Sequence, residues 1–118
     1  MKNTSFELCK KYLGKIVKIK IDRPLGSKHP KYDYEYPINY GYLEGVLAPD
    51  GEELDAYLLM VDKPVEQYEG FVTAIIHRTN DDDDKLIVIP EGETITDEEI
   101  EKAVEFQEKW FKHIIVRE

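Results

Sequence analysis

Cysteine is nearly missing from this 118-residue chain, with Cys9 standing alone, so no internal disulfide forms and no thiolate metal cluster is available. Long apolar runs are missing too. None approaches the roughly 18 residues that cross a bilayer, and the opening Met1-Lys-Asn-Thr-Ser-Phe-Glu7 lacks the apolar core of a signal peptide. Basic residues are the minority, 16 against 25 acidic for a net charge of -9. That balance argues against nucleic acid and against a membrane as partner, because both attract a basic face. The Asn3-Thr4-Ser5 sequon then reads as chance, and the expected location is cytoplasmic. No Gly-rich loop ending in Lys-Ser/Thr, no Gly-x-Ser-x-Gly elbow and no HExxH helix occurs. The three histidines, His29, His77 and His113, are too dispersed to support a zinc site.

What is present is a chain with 42% hydrophobic residues, enough for one core and one domain over residues 1–118. Phe6, Leu8, Cys9, Tyr12 and Leu13 form a helical stripe over residues 5–13, closed by Gly14. Residues 16–21 alternate apolar and basic, as a strand with one wet face does. Tyr32, Tyr34 and Tyr36 alternate as strand residues do, and aromatics pack well on a pleated surface; some of their hydroxyls alternatively line a polar cleft. Strands are expected at residues 54–61, 70–78 and 85–90. Thr96-Asp-Glu-Glu99 is a capping box. It opens a helix whose Ile100, Ala103, Val104, Gln107, Trp110 and Phe111 recur at three- and four-residue steps. Residues 114–116 add a short final strand. Five or six short strands with two helices suggest a small barrel or curled sheet with helical cover.

The chemistry gathers in two acidic stretches. Asp50-Gly51-Glu52-Glu53-Leu54-Asp55 is a tight turn running into a strand, able to bring carboxylates together. Four consecutive aspartates, Asp81 to Asp84, lie between two apolar strands. Each stretch reads equally as solvated loop or as ligands for a hard divalent cation, which relieves carboxylate repulsion. Arg23, Lys28, His29 and Lys31 gather positive charge in a loop broken by Pro24, Gly26 and Pro30. Lysine, arginine and tyrosine bind phosphate oxygens, and magnesium neutralises phosphate.

Taken in order, Tyr36-Pro-Ile-Asn-Tyr-Gly-Tyr42, Asp50-Gly-Glu-Glu-Leu-Asp55 and Asp83-Asp-Lys-Leu-Ile-Val-Ile-Pro90 resemble the blocks of the soluble inorganic pyrophosphatase family (family I). The resemblance spans residues 16–90, with an echo in the C-terminal helix. It implies a mainly β protein with α (α+β), a small five-stranded OB-like barrel with an N-terminal and a C-terminal helix packed outside. It also implies magnesium-dependent hydrolysis of inorganic pyrophosphate by direct attack of a metal-activated water, with manganese as the alternative to magnesium. By position, Asp50, Asp55, Asp81, Asp83 and Asp22 match metal ligands. Glu52, Asp55 and Lys85 take catalytic positions. Tyr40 and Lys112 match phosphate contacts, and Lys28, Lys31 or Arg23 stands in for the family's basic pair. A homo-oligomer is the expected assembly.

The chain departs from the family pattern at three places. Glu52 and Glu53 stand where the family's acidic turn has aspartate and proline, Phe111 replaces a tyrosine, and the segment before Tyr36 is shorter. These departures leave two alternatives: a hydrolase of another pyrophosphate-containing molecule such as a nucleotide, and a non-catalytic relative that binds metal or protein. Asp55, set in an apolar strand, is expected to be the most buried of the acids.

Overall fold

The computed structural model describes residues 4–118. Among these the elements are α1 (Ser5–Lys10), β1 (Ile16–Arg23), β2 (Asn39–Leu47), β3 (Glu53–Leu58), β4 (Gln67–Arg78), β5 (Lys85–Ile89), α2 (Asp97–Glu108) and β6 (His113–Arg117). β1, β2 and β3 run antiparallel in turn, β3 lies parallel to β5, and β5 is antiparallel to β4. β4 returns to β1, and that pairing closes a five-stranded barrel. β4 is 12 residues long and uses its length twice. Residues 67–71 close the barrel against β1, and residues 74–78 carry β6 along the same edge.

Alternation along the strands sorts the apolar residues into two layers. Ile19, Leu43, Leu54, Ala56, Leu58, Val72, Ile75, Leu86 and Val88 fill the barrel, where Cys9 of α1 joins them. Tyr57, Leu59, Ala74, Ile76, Ile87 and Ile89 point the other way and are covered by Ile100 and Val104 of α2. Each such aliphatic side chain contributes about 1.5–3 kcal/mol by leaving water. α2 starts where the sequence indicates, with the reciprocal Thr96–Glu99 capping box formed. One glycine is demanded by the barrel itself: a Cβ on Gly41 would stand 1.8 Å from the carbonyl oxygen of Lys20.

Three local expectations are corrected. The first helix ends at Lys10 rather than at residue 13. Trp110 lies beyond the end of α2 and is 72% exposed, whereas Glu108 takes the buried position on that face. Tyr32, Tyr34 and Tyr36 do not form a strand. The amides of Lys31 and Tyr32 donate to Nδ1 of His29 at 3.0 and 3.2 Å, and a single bridge joins Lys28 to Glu35. The rings collect around His29 instead, with centroids 4.8 Å (Tyr32), 5.0 Å (Tyr34) and 5.9 Å (Tyr36) away. Pro30 and Pro37 flank the segment and remove donors a ladder would need.

Candidate active site

The polar groups gather on the outer face of the barrel, at one end of the layer that α2 covers. Asp55 sits two residues before the buried Tyr57, so both point outward from β3. The parallel register places Ala56 opposite Leu86, which brings Asp55 beside Lys85 at the start of β5. Lys85 Nζ lies 2.7 Å from Asp55 Oδ2 and 3.0 Å from Asp83 Oδ1. Its side chain is only 3% exposed, whereas those of Asp55 and Asp83 are 31% and 40% exposed. A buried ammonium thus stands between two carboxylates that reach solvent. Tyr40 on β2 packs over this pair, with its ring centroid 5.8 Å from Lys85 Nζ. Burial, followed by the Asp55 carboxylate, holds the Tyr40 phenol well above its ordinary pKa, so it remains a hydrogen-bond donor.

A second, largely buried group supports the first. Arg78 at the end of β4 donates from Nε and Nη2 to Glu108 of α2 at 3.0 and 2.8 Å. Glu108 also accepts from the Tyr57 hydroxyl at 2.7 Å, and Gln107 Nε2 donates to that hydroxyl at 2.8 Å. The Arg78 guanidinium lies 3.6 Å above the Phe111 ring and reaches Asp81 and Asp83 at 3.4 and 3.5 Å. Sequence reasoning missed Arg78, Glu108, Tyr57 and Gln107. One signal was available: Glu108 continues the Ile100, Val104 stripe at a further four-residue step, and a charge in an apolar stripe implies a buried partner.

The aspartate run divides its labour. Asp82 accepts from the amide and hydroxyl of Ser5 at 2.8 and 2.9 Å, tying the loop to α1. Asp84 bonds Nδ1 of His77 at 2.8 Å and the Arg78 amide at 2.9 Å. Its side chain is 1% exposed, so Asp84, not Asp55, is the more deeply buried acid, because its neighbours meet both its oxygens. Only Asp81 and Asp83 are left to face the site.

The other expected residues are distributed unevenly. Arg23 pairs in register with Tyr40, and among the described residues it makes no ion pair with a carboxylate. Asp22 lies beside it at the end of β1, where partial desolvation of its carboxyl raises its pKa; Arg23 opposes that shift, and the Asp55 carboxylate adds a smaller upward push. Asp50 and Glu52 are exposed at the β2–β3 tip, where Asp50 Oδ1 accepts from the Glu52 amide at 2.9 Å. No hydrogen bond or ion pair joins either to Asp55, Asp83 or Lys85, because the turn consumes the Asp50 oxygen locally. Lys28, Lys31 and Lys112 are exposed and equally unattached to the cluster.

The donor set suits magnesium in kind, since Asp55 and Asp83 offer hard carboxylate oxygens, and the point on which both converge holds the Lys85 ammonium. Magnesium keeps several waters and is commonly held by one or two carboxylates together with substrate phosphates. A larger set is not assembled: among the described residues no three His, Cys, Asp or Glu side chains form a metal-holding group. The site thus fits an ion that arrives with a phosphate ligand.

The family profile of inorganic pyrophosphatase matches residues 2–116. The chain belongs to the inorganic pyrophosphatase family. A curated relative, the inorganic pyrophosphatase of Halalkalibacterium halodurans, is 31% identical over 100 residues, a match covering 64% of this chain and 59% of the relative. The chain therefore spans under two thirds of that relative's length. The fold is similar to that of the inorganic pyrophosphatase from Helicobacter pylori, with a TM-score of 0.67, 15% identity, and coverage of 87% of this chain and 85% of that one. The inorganic pyrophosphatase of Ehrlichia chaffeensis gives 0.66 at 15% identity, covering 86% and 84%. Within this family member, the block carrying Tyr36 to Tyr42 proves largely architectural. Asn39 is buried, accepts from the Leu25 amide at 2.9 Å and donates to the Lys63 carbonyl at 2.9 Å, and Gly41 lets β1 approach. Of that block, Tyr40 faces the cluster.

Proposed function

We propose that this chain hydrolyses inorganic pyrophosphate with magnesium, at the outer barrel face around Asp55, Asp83 and Lys85. The observation that supports it most is the Asp55–Lys85–Asp83 cluster, two partly exposed carboxylates around a buried ammonium, in a member of the pyrophosphatase family. An ammonium has three N–H donors. Two serve Asp55 and Asp83, and the third is available to a phosphate oxygen. The Tyr40 hydroxyl, kept protonated, donates to the same phosphate, and Arg23 beside it supplies a positive charge not already paired to a carboxylate. Asp55 and Asp83 would hold magnesium, which when bound supplies neutralisation of phosphate charge and a lowered pKa for the attacking water. The water oxygen bonds to one phosphorus, and the bridging P–O bond breaks with its electron pair leaving on the second phosphate. One water proton stays on the newly formed phosphate and the other is released to solvent. Arg78, held by Glu108, keeps Asp83 turned toward Lys85.

The described chain has no helix long and apolar enough to cross a membrane, and the cytoplasm, where pyrophosphate is released by biosynthesis, is the proposed setting. The deciding experiment is phosphate release from pyrophosphate with and without magnesium, by wild type and Asp55→Asn. Magnesium-dependent release that falls at least about a hundredfold in the variant is the expected result. No release by wild type at saturating magnesium would refute the proposal.

A further inference from the structure

Beside the carboxylate–lysine cluster opens a cleft of about 700 Å³. Its walls are rings: Tyr32 and Tyr34 from the loop after β1, and Phe106, Trp110 and Phe111 from the end of α2 and just beyond. Asp83 and Arg78 also line it, so the cleft is continuous with the site where pyrophosphate is placed above. Pyrophosphate is small, highly charged and hydrated, and the ring faces that make up most of this wall offer its oxygens no partners. Trp110 and Tyr32, at 72% and 63% exposed, remain uncovered by this chain.

We propose that the cleft is a base-binding subsite, and that the site takes a nucleoside di- or triphosphate, with the base among the rings and the terminal phosphates at Lys85. Nucleobases are flat π-systems that stack on tyrosine, tryptophan and phenylalanine with little dependence on which base is present. Tyr32 and Tyr34 lie within 5° of parallel with centroids 6.5 Å apart, held by His29 against both, which makes one ordered aromatic wall. Gln107 and Glu35 at the margins provide a donor amide and an acceptor carboxylate for a base edge, and Lys109 offers a cation for phosphate or ribose. The placement of the phosphates rests on the hydrolase reading above; the binding of the base does not. In the reaction, the water oxygen bonds to the terminal phosphorus and the bridging P–O bond breaks. Its electron pair stays with the shortened nucleotide, one water proton remains on the phosphate product and the other is released.

Trp110 is the single tryptophan of the chain, so its fluorescence reports this cleft and no other place. ATP and ADP titrated into the metal-free protein should quench it saturably, whereas pyrophosphate should not. Tyr32→Ala, at an exposed position where folding is not at risk, should weaken nucleotide binding roughly tenfold or more. In phosphate release, the same variant should lower the rate with ATP relative to that with pyrophosphate by a similar factor. Pyrophosphate hydrolysis without nucleotide quenching would overturn the subsite and leave the pyrophosphatase reading standing. Quenching by nucleotides without release of phosphate from either compound would support the subsite and overturn the hydrolase reading. Fluorescence that follows protein concentration, with sedimentation showing a dimer and no effect of nucleotide, would assign the cleft to a second copy and overturn the inference.

Discussion

Lys85 Nζ rests 2.7 Å from Asp55 Oδ2 across 30 residues of sequence, a contact made possible because β3 and β5 run parallel as neighbours in the barrel. The same ammonium meets Asp83 Oδ1 at 3.0 Å, so its single charge offsets half of that on the two acids expected to meet the substrate's metal. Lys85→Met therefore leaves two carboxylates facing each other. Stability without metal should drop by about 1–2 kcal/mol, below the value for a fully buried pair because both acids keep contact with water. Magnesium should recover part of the loss by binding the folded state alone. Urea unfolding with and without magnesium measures both effects. A variant as stable as wild type in metal-free buffer would contradict the pairing.

Glu108 is the test of the buried support. Glu108→Ala strands the Arg78 guanidinium without its bidentate partner and deprives the Tyr57 hydroxyl of an acceptor, with an expected cost of about 3–5 kcal/mol. Glu108→Gln keeps one acceptor oxygen and should cost less. In that milder variant pyrophosphate turnover should fall even where the protein is fully folded, since Arg78 no longer steadies Asp83. Denaturation and turnover measured on both variants separate the two effects. Equal stability for Glu108→Ala and wild type would rule out the buried pair.

The two acidic stretches differ in what they contribute. Asp50 and Glu52 stand exposed at the hairpin tip. Glu52→Gln should keep turnover within about threefold of wild type, whereas Asp55→Asn should lose at least about a hundredfold. Steep loss in Glu52→Gln would mean that the tip folds onto the substrate and that Glu52 acts on the attacking water.

Cys9 sets an alkaline limit. It is fully buried, and burial, with Asp84 next in order, raises its thiol far above the ordinary value. The folded state therefore holds this proton more tightly than the unfolded chain. That stabilisation is complete below the ordinary thiol pKa of about 8.5 and is lost as pH rises above it. Cys9→Val should remove the alkaline slope between about pH 8 and 10 while keeping the core filled. In native wild type the thiol should resist alkylation at about pH 8, because the thiolate is the reactive form. Rapid labelling of the folded protein would refute this.

Much of the fold was readable along the chain. The capping box at Thr96 and Glu99, the alternation of β1, and the apolar runs of β3, β4 and β5 are local patterns, and local backbone physics obeys them. The tyrosine alternation over residues 32–36 misled because the same spacing suits a sheet face or a cluster around His29. Only the flanking prolines and the imidazole acceptor decide between them. For the site, residue type alone left the acidic stretches open between solvated loop and cation ligands, and Asp55, Asp83 and Lys85 were singled out by the resemblance of their blocks to the pyrophosphatase family.

By itself, the sequence determined the kinds of chemistry available: oxygen ligands, no thiolate site, an acidic surface and a barrel-like count of strands. These follow from composition and short-range periodicity, which every conformation of the chain carries. Tertiary structure alone decided which aspartates face the site. Four adjacent residues of one type differ only in where their neighbours lie. Ser5 claims Asp82, His77 and the Arg78 amide claim Asp84, and Asp83 is left to Lys85. Those partners come from α1, β4 and β5, and a hydrogen bond requires contact within about 3 Å. Closure of the barrel brings them to that distance.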